Sequence, residues 1–120
     1  MIIVHGIPNC DTVKRARAWL QAQGVAYRFH DFKREGLPPS QPQGWLATLG
    51  HERVVNRQGT TWRKLDESVR AGVVDNASAQ PLVTAQPSLI RRPLVQWADG
   101  EWTVGFDEAL WARRLGRLSR

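Results

Sequence analysis

An α/β fold, with a mixed four-stranded sheet flanked by helices and a helical insertion, is what this sequence predicts. Three observations carry that expectation. The first thirty or so residues run through strand, helix and strand patterns; a polar, proline-punctuated middle reads as short helices; and Asp99-Gly100 sits between two short apolar runs ahead of a last helical pattern. At 120 residues there is room for one domain. It is read as 1–120, with the insertion over about 38–88.

Met1 to His5 reads as a short buried strand, ended by Gly6 and Pro8. From Asp11 and Thr12 a helix is predicted, with Val13, Ala16, Leu20 and Trp19 on its apolar side, Lys14, Arg15, Arg17 and Gln21 facing out, and Gly24 as its C-cap. Val25 to Phe32 alternates as a strand, which completes a βαβ unit with a right-handed crossover. Gly36, Pro38, Pro39 and Pro42 then mark a loop leading into a short helix around 44–49. Val54 to Arg57 is short, and either extended or helical. Residues 62–72 and 75–86 read as two further helices, the second starting near Ser78 with Pro81 in its first turn. A β-hairpin follows: Leu94 to Trp97, a turn in which Asp99-Gly100 supplies positive φ, and Glu101 to Val104. From Phe106 a terminal amphipathic helix is predicted, carrying Phe106, Ala109, Leu110, Arg113, Arg114 and Arg117. The order β-α-β, helical insertion, β-β-α describes a thioredoxin-like sheet.

Composition narrows the function classes. With 42% apolar and 23% charged residues the chain is an ordinary globule rather than a disordered or fibrous one. No apolar run approaches the roughly 20 residues that span a bilayer, so a soluble, unprocessed, cytoplasmic protein without a membrane partner is expected. Seventeen Lys and Arg against eleven Asp and Glu give a net charge of +6, which favours anionic partners without choosing among them. A single cysteine and three scattered histidines offer neither an internal disulfide nor a metal-ligand spacing, so no metal is expected. The six tryptophans are scattered and read as core positions rather than as a stacking platform for nucleic acid.

Cys10 is the residue with chemical promise. It follows a strand and loop and directly precedes a helix, so its sulfur is expected near unpaired first-turn N–H groups, where the helix dipole favours a thiolate. A lone cysteine is otherwise most often a packing residue. A lone nucleophilic sulfur that forms a disulfide needs an outside thiol to release it, and glutathione is the abundant one in a cytoplasm. Arg57 and the Arg91-Arg92-Pro93 segment come next, because guanidinium groups hold oxyanions, carboxylates and thiolates. Most of the fourteen arginines are expected to be solvated surface charges. Pro93 stands where a cis peptide can be accommodated at the start of a core strand.

Three ordered segments resemble a known family: Gly6-Ile7-Pro8-Asn9-Cys10-Asp11-Thr12, Arg57-Gln58-Gly59-Thr60-Thr61-Trp62-Arg63-Lys64-Leu65, and Leu89-Ile90-Arg91-Arg92-Pro93-Leu94-Val95. Together they are similar to the arsenate reductase, Spx and YffB family, nearest its YffB branch, over residues 1–112. The resemblance implies a thioredoxin-like core with a helical insertion. It also implies an oxidoreductase in which Cys10 is the nucleophile and Arg57 and Arg92 are anion or thiol ligands. Asn9, Asp11, Thr12, Arg57, Arg91, Arg92 and Pro93 are then the expected substrate or glutathione contacts. Glutathione is expected as a co-substrate with no tightly bound cofactor, glutaredoxin as a further partner, and the chain as a monomer.

The sequence also departs from the family pattern. No basic residue lies between Arg92 and Arg113, where the reductases carry a further arginine, and Gly6 stands where their pocket has a histidine. His5, one place away, is expected on the opposite face of the strand. Val13 replaces the second cysteine of the Spx switch. Three functions follow from the resemblance: a glutathione-dependent thiol reductase, an arsenate reductase proper, or an Spx-like regulatory or adaptor protein using basic residues such as Arg113, Arg114, Arg117 and Arg120.

Overall fold

In the computed structural model, which describes residues 1–38 and 40–116, the apolar start becomes strand β1 (Ile2–Gly6) and the helical pattern becomes α1 (Asp11–Ala22). Pro39, Arg117 and Arg120, named above, lie outside the described residues. Val13, Ala16 and Leu20 are fully buried, as their spacing on one helical face dictates. The helix ends in a Schellman arrangement: Gly24 takes φ +68°, its N–H donates to the Gln21 carbonyl, and the Val25 N–H donates to the Leu20 carbonyl.

Strand β2 (Tyr27–Asp31) follows, two residues later than the alternation suggests, and Phe32 leaves the strand to begin the one-turn helix α2 (Phe32–Glu35). Asp31 is the reason. Its carboxylate accepts from the N–H groups of Lys33 and Arg34, while Glu35 accepts from the Asp31 N–H, a reciprocal cap that outcompetes one more extended residue.

The chain divides into two compact units, Asp31–Arg91 forming one, and Met1–His30 with the chain from Arg92 onward the other. In the latter, strands β3 (Leu94–Gln96) and β4 (Trp102–Val104) complete a mixed four-stranded sheet of order β2-β1-β3-β4. The β1–β3 pairing is antiparallel, with Val4 opposite Val95 and His5 opposite Leu94; β3–β4 is antiparallel, with Val95 opposite Thr103. The hairpin loop differs from a two-residue connection. Only Gly100 has positive φ (+89°), its N–H donates to the Trp97 carbonyl, and Trp97 N–H donates to the Glu101 carbonyl. Asp99 stays in the ordinary region and instead accepts from the Glu101 N–H, so a longer loop with a glycine bulge is formed.

The last helix, α8 (Glu108–Arg114), is capped by Asp107, which accepts from the Leu110 N–H. Its inward face is Trp111 and Ala112, not Ala109 and Leu110 as the pattern suggested; Leu110 is 54% exposed. The indole decides this. Trp111 meets Trp97 edge-on at 5.1 Å, Phe106 at 4.7 Å and Trp19 at 6.1 Å, beside Ile2, Val4, Ala16, Leu20 and Val95.

The second unit holds α3 (Ser40–Leu49), α4 (His51–Val54), α5 (Thr60–Arg63), α6 (Glu67–Ala71) and α7 (Asn76–Ala85), then a 3-10 turn (Pro87–Leu89). Helix α3 starts at Ser40, so Pro42 falls in its first turn, where a missing N–H costs nothing. Val54 ends α4 and Val55 bridges Ile90, so the ambiguous 54–57 stretch is helical, then extended. The single helix expected over 62–72 is two helices, because Arg70 donates to the carbonyls of Arg63 and Leu65 and stops α5 there. Pro81 lies inside α7 rather than in its first turn, since the Asp75–Ser78 capping box starts the helix at Asn76.

Candidate active site

Cys10 is the N-cap of α1, with extended backbone (φ −144°, ψ 123°), and its carbonyl accepts the first helical bond, from the Lys14 N–H at 2.9 Å. The side chain is half-buried and the thiol is free. Partial burial works against ionisation and is the largest single influence on the sulfur. The Val13 N–H, then the hydrogen bond and the charge of the Arg92 guanidinium, then the Thr12 N–H all favour the anion and together prevail, holding the thiol below its ordinary range.

Sheet register explains how Arg92 comes to Cys10. Because His5 pairs with Leu94 in antiparallel sense, the chain leaving β1 runs beside the chain arriving at β3. Arg92 and Pro93 are joined by a cis peptide bond, and the Pro93 carbonyl accepts from the Gly105 N–H at 2.8 Å. A buried proline thus fixes the segment that carries the guanidinium. Thr12 contributes through its backbone N–H. Asn9 and Asp11 flank the sulfur in exposed positions.

Arg57 and Arg91 belong to the Asp31–Arg91 unit. The exposed Arg57 donates from Nη2 to the Val73 carbonyl, approaches His51 Nδ1 at 3.2 Å, and lies 5.1 Å from the Trp62 ring centroid. Arg91 donates its backbone N–H to the Val54 carbonyl, and its buried Nε has no hydrogen-bond partner there.

Two features were not evident in the sequence. His5 is buried on the sheet face away from Val4, with its ring 5.1 Å from that of His30 and 5.2 Å from that of Trp102; strand alternation predicted the face but not the neighbours. Arg17 lies over Phe29, its Cζ 4.0 Å from the ring centroid, and donates from Nε to the Tyr27 hydroxyl at 3.0 Å. Its spacing of seven from Cys10 was the available signal, and the aromatic partner from β2 was not readable. Among the described residues no group of three or more His, Cys, Asp or Glu side chains gathers to hold a metal ion, and no helix is long and apolar enough to cross a membrane.

Comparison with known proteins agrees with this architecture. A solved structure of the YFFB protein is 43% identical and superposes with a TM-score of 0.87, over 94% of this chain and 97% of that one. An arsenate reductase (ArsC) related protein from Brucella melitensis is 46% identical with a TM-score of 0.77, over 95% and 93% of the two chains. An uncharacterised protein of Haemophilus influenzae is 38% identical over 90% of this chain and 93% of its own. The global transcriptional regulator Spx of Lactiplantibacillus plantarum is 25% identical over 100% of this chain and 90% of its own. The profile of the ArsC family matches residues 5–113. These likenesses agree on an arsenate reductase-like fold with a thioredoxin-type sheet, and the chain belongs to the ArsC family.

Proposed function

We propose that the protein is a monothiol reductase that draws its electrons from glutathione. The Cys10 thiolate attacks a sulfur of a disulfide between the substrate and glutathione. A Cys10–glutathione disulfide forms, the original S–S bond breaks, and the substrate leaves as a thiolate. A second glutathione thiolate then attacks the glutathione sulfur of that mixed disulfide, giving glutathione disulfide and the free Cys10 thiolate. One glutathione thiol is consumed and one glutathione disulfide released for each mixed disulfide reduced, and glutaredoxin is a suitable alternative partner for the second step.

The observation that carries this reading is the half-exposed Cys10 sulfur held below the ordinary thiol range by α1 N–H groups and Arg92. Arg92 stabilises the thiolate in both its attacking and leaving roles. Arg92 is also a candidate partner for a glutathione carboxylate. Alkylation of Cys10 by iodoacetamide as a function of pH tests the premise, and mass spectrometry after incubation with glutathione disulfide tests the intermediate. A midpoint at the free-thiol value of about 8.5, with no glutathione adduct, removes the proposal.

Arsenate reduction is the second reading, favoured by the arsenate reductase related protein at 46% identity. It asks more of the same site. Gly6 occupies the place of the reductases' histidine, and no basic residue lies between Arg92 and Arg113. An arsenate-dependent, glutathione-coupled assay with glutaredoxin separates the two readings: turnover with arsenate comparable to that with a disulfide substrate would favour it.

A further inference from the structure

Resting on the monothiol reading above, we infer that the substrate presents its reactive sulfur within an acidic protein segment, docked along the side of α1 that borders β2. On a helix, Cys10, Lys14, Arg17 and Gln21 share one edge, recurring at three- and four-residue steps. The axial rise places Lys14 about 6 Å and Arg17 about 10.5 Å from Cys10. Both carry positive charge, and they differ in a useful way.

Lys14 is exposed and its ammonium meets no acceptor among the described residues. Arg17 is fixed. Its Cζ rests 4.0 Å from the Phe29 centroid and its Nε donates to the Tyr27 hydroxyl, to which Gln21 Nε2 also donates at 3.3 Å. The two Nη groups of Arg17 find no acceptor among the described residues. A guanidinium ordered before binding, with its terminal donors unspent, loses little entropy when a carboxylate arrives. Phe29 also reaches the loop: its Cε1 lies 3.8 Å from where a side chain at Gly6 would begin. The stack therefore adjoins the segment that carries Cys10.

A ligand for this edge must be anionic, and one for Cys10 must carry sulfur. A peptide with a cysteine and nearby Asp or Glu satisfies both. An extended chain advances about 3.3 Å per residue, so carboxylates two and three residues from the cysteine fall opposite Lys14 and Arg17. Nucleic acid would satisfy the charge but not the sulfur. Arg15, on the same helix and also exposed, points about 100° away from Lys14 around the axis and is outside the track.

The test uses three peptides as 2-thiopyridyl mixed disulfides, identical except for acidic, amide or basic residues two and three places on either side of the cysteine. Cys10 thiolate attacks the peptide sulfur, the Cys10–peptide disulfide forms, and pyridine-2-thione departs and is followed by its absorbance. Rates are divided by the same variant's rate with neutral iodoacetamide, which cancels any change in thiolate fraction. Exposed charge pairs each contribute a factor of about 1.5 to 5, so the acidic peptide should outpace the basic one about tenfold at low ionic strength. Near 1 M salt, where the Debye length is about 3 Å, the preference should collapse.

Lys14→Glu should abolish or invert the order, and Arg17→Gln should reduce it several-fold. Arg15→Glu, an equal change in net charge, should move it by less than half as much as Lys14→Glu. Equal rates for all three peptides with a reactive Cys10, or equal effects of Arg15→Glu and Lys14→Glu, overturn the docking inference and leave the monothiol reading standing. A Cys10 that iodoacetamide titrates as a free thiol takes down both.

Discussion

Replacing Gly6 by alanine should destabilise the protein through a single contact. A Cβ there would stand 2.9 Å from Val13 Cγ2, 3.6 Å from Val13 Cγ1 and 3.8 Å from Phe29 Cε1. Carbon pairs prefer about 3.5–4.0 Å, so Val13 must retreat by about 0.6 Å. It cannot do so freely, because it is fully buried on α1, three residues after the nucleophile. Overpacking of this kind costs about 1–3 kcal/mol. Relief of glycine's chain entropy in the unfolded state returns about 0.4–1 kcal/mol. A net loss of about 1–2 kcal/mol should lower Tm by roughly 4–8 °C for a chain of this size. Val13→Ala alone should cost about 2 kcal/mol from lost burial and the cavity left behind. In the double variant the clash is gone, so the two effects should fall short of additive by about 1 kcal/mol or more in urea or thermal unfolding. Strict additivity, or a Gly6→Ala protein as stable as its parent, would refute the steric reasoning. Histidine at this position, as in the reductases the family resemblance invokes, should cost more than alanine for the same reason.

Four further outcomes are expected. Arg92→Met should move the alkylation midpoint of Cys10 upward, because a hydrogen bond and a charge that favour the thiolate both go; an unchanged midpoint would remove Arg92 from the site. Since Cys10 ionises more easily folded than unfolded, its contribution to stability is complete above the unfolded value of about 8.5 and is lost as pH falls through the lowered folded value. Unfolding free energy should therefore rise across that window in the wild type and stay flatter in Cys10→Ser, as read by urea titration at several pH values. Gly24→Ala forces φ +68° on a residue with a Cβ and should cost about 1–2 kcal/mol in the same measurement. Trp111→Ala should cost about 3–5 kcal/mol, because three aromatic partners lose their common neighbour.

Much of the architecture is written in local pattern. Val13, Ala16 and Leu20 announce α1, Gly24 its end, and Asp99-Gly100 the hairpin, because each depends on residues close in sequence. What the pattern leaves open depends on partners far along the chain. Leu110 fits a helical apolar stripe as well as Trp111 does, and only the ring contacts with Trp19, Trp97 and Phe106 settle which faces inward. Pro81 could have started α7 had Asp75 not capped it earlier. At the site, Cys10 before a helix was legible as a stabilised thiolate. The family resemblance picks Arg92 rather than Arg91 as a thiol ligand, and the β1–β3 register is the long-range reason that Arg92 lies beside the sulfur. The stacking of Arg17 on Phe29 joins a helix to an edge strand, and nothing short-range encodes it.

The distribution of indoles gives the molecule built-in optical reporters. Trp45 and Trp62 lie in the Asp31–Arg91 unit, whereas Trp19, Trp97, Trp102 and Trp111 lie in the sheet-bearing one. Trp97 and Trp111 stand 5.1 Å apart at 89°, a coupling geometry that should give an exciton signature in circular dichroism, set by the packing of α8 against the sheet. Substituting phenylalanine at 45 and 62 would leave emission from the sheet-bearing unit alone, so melting of that unit becomes visible by itself without any added dye.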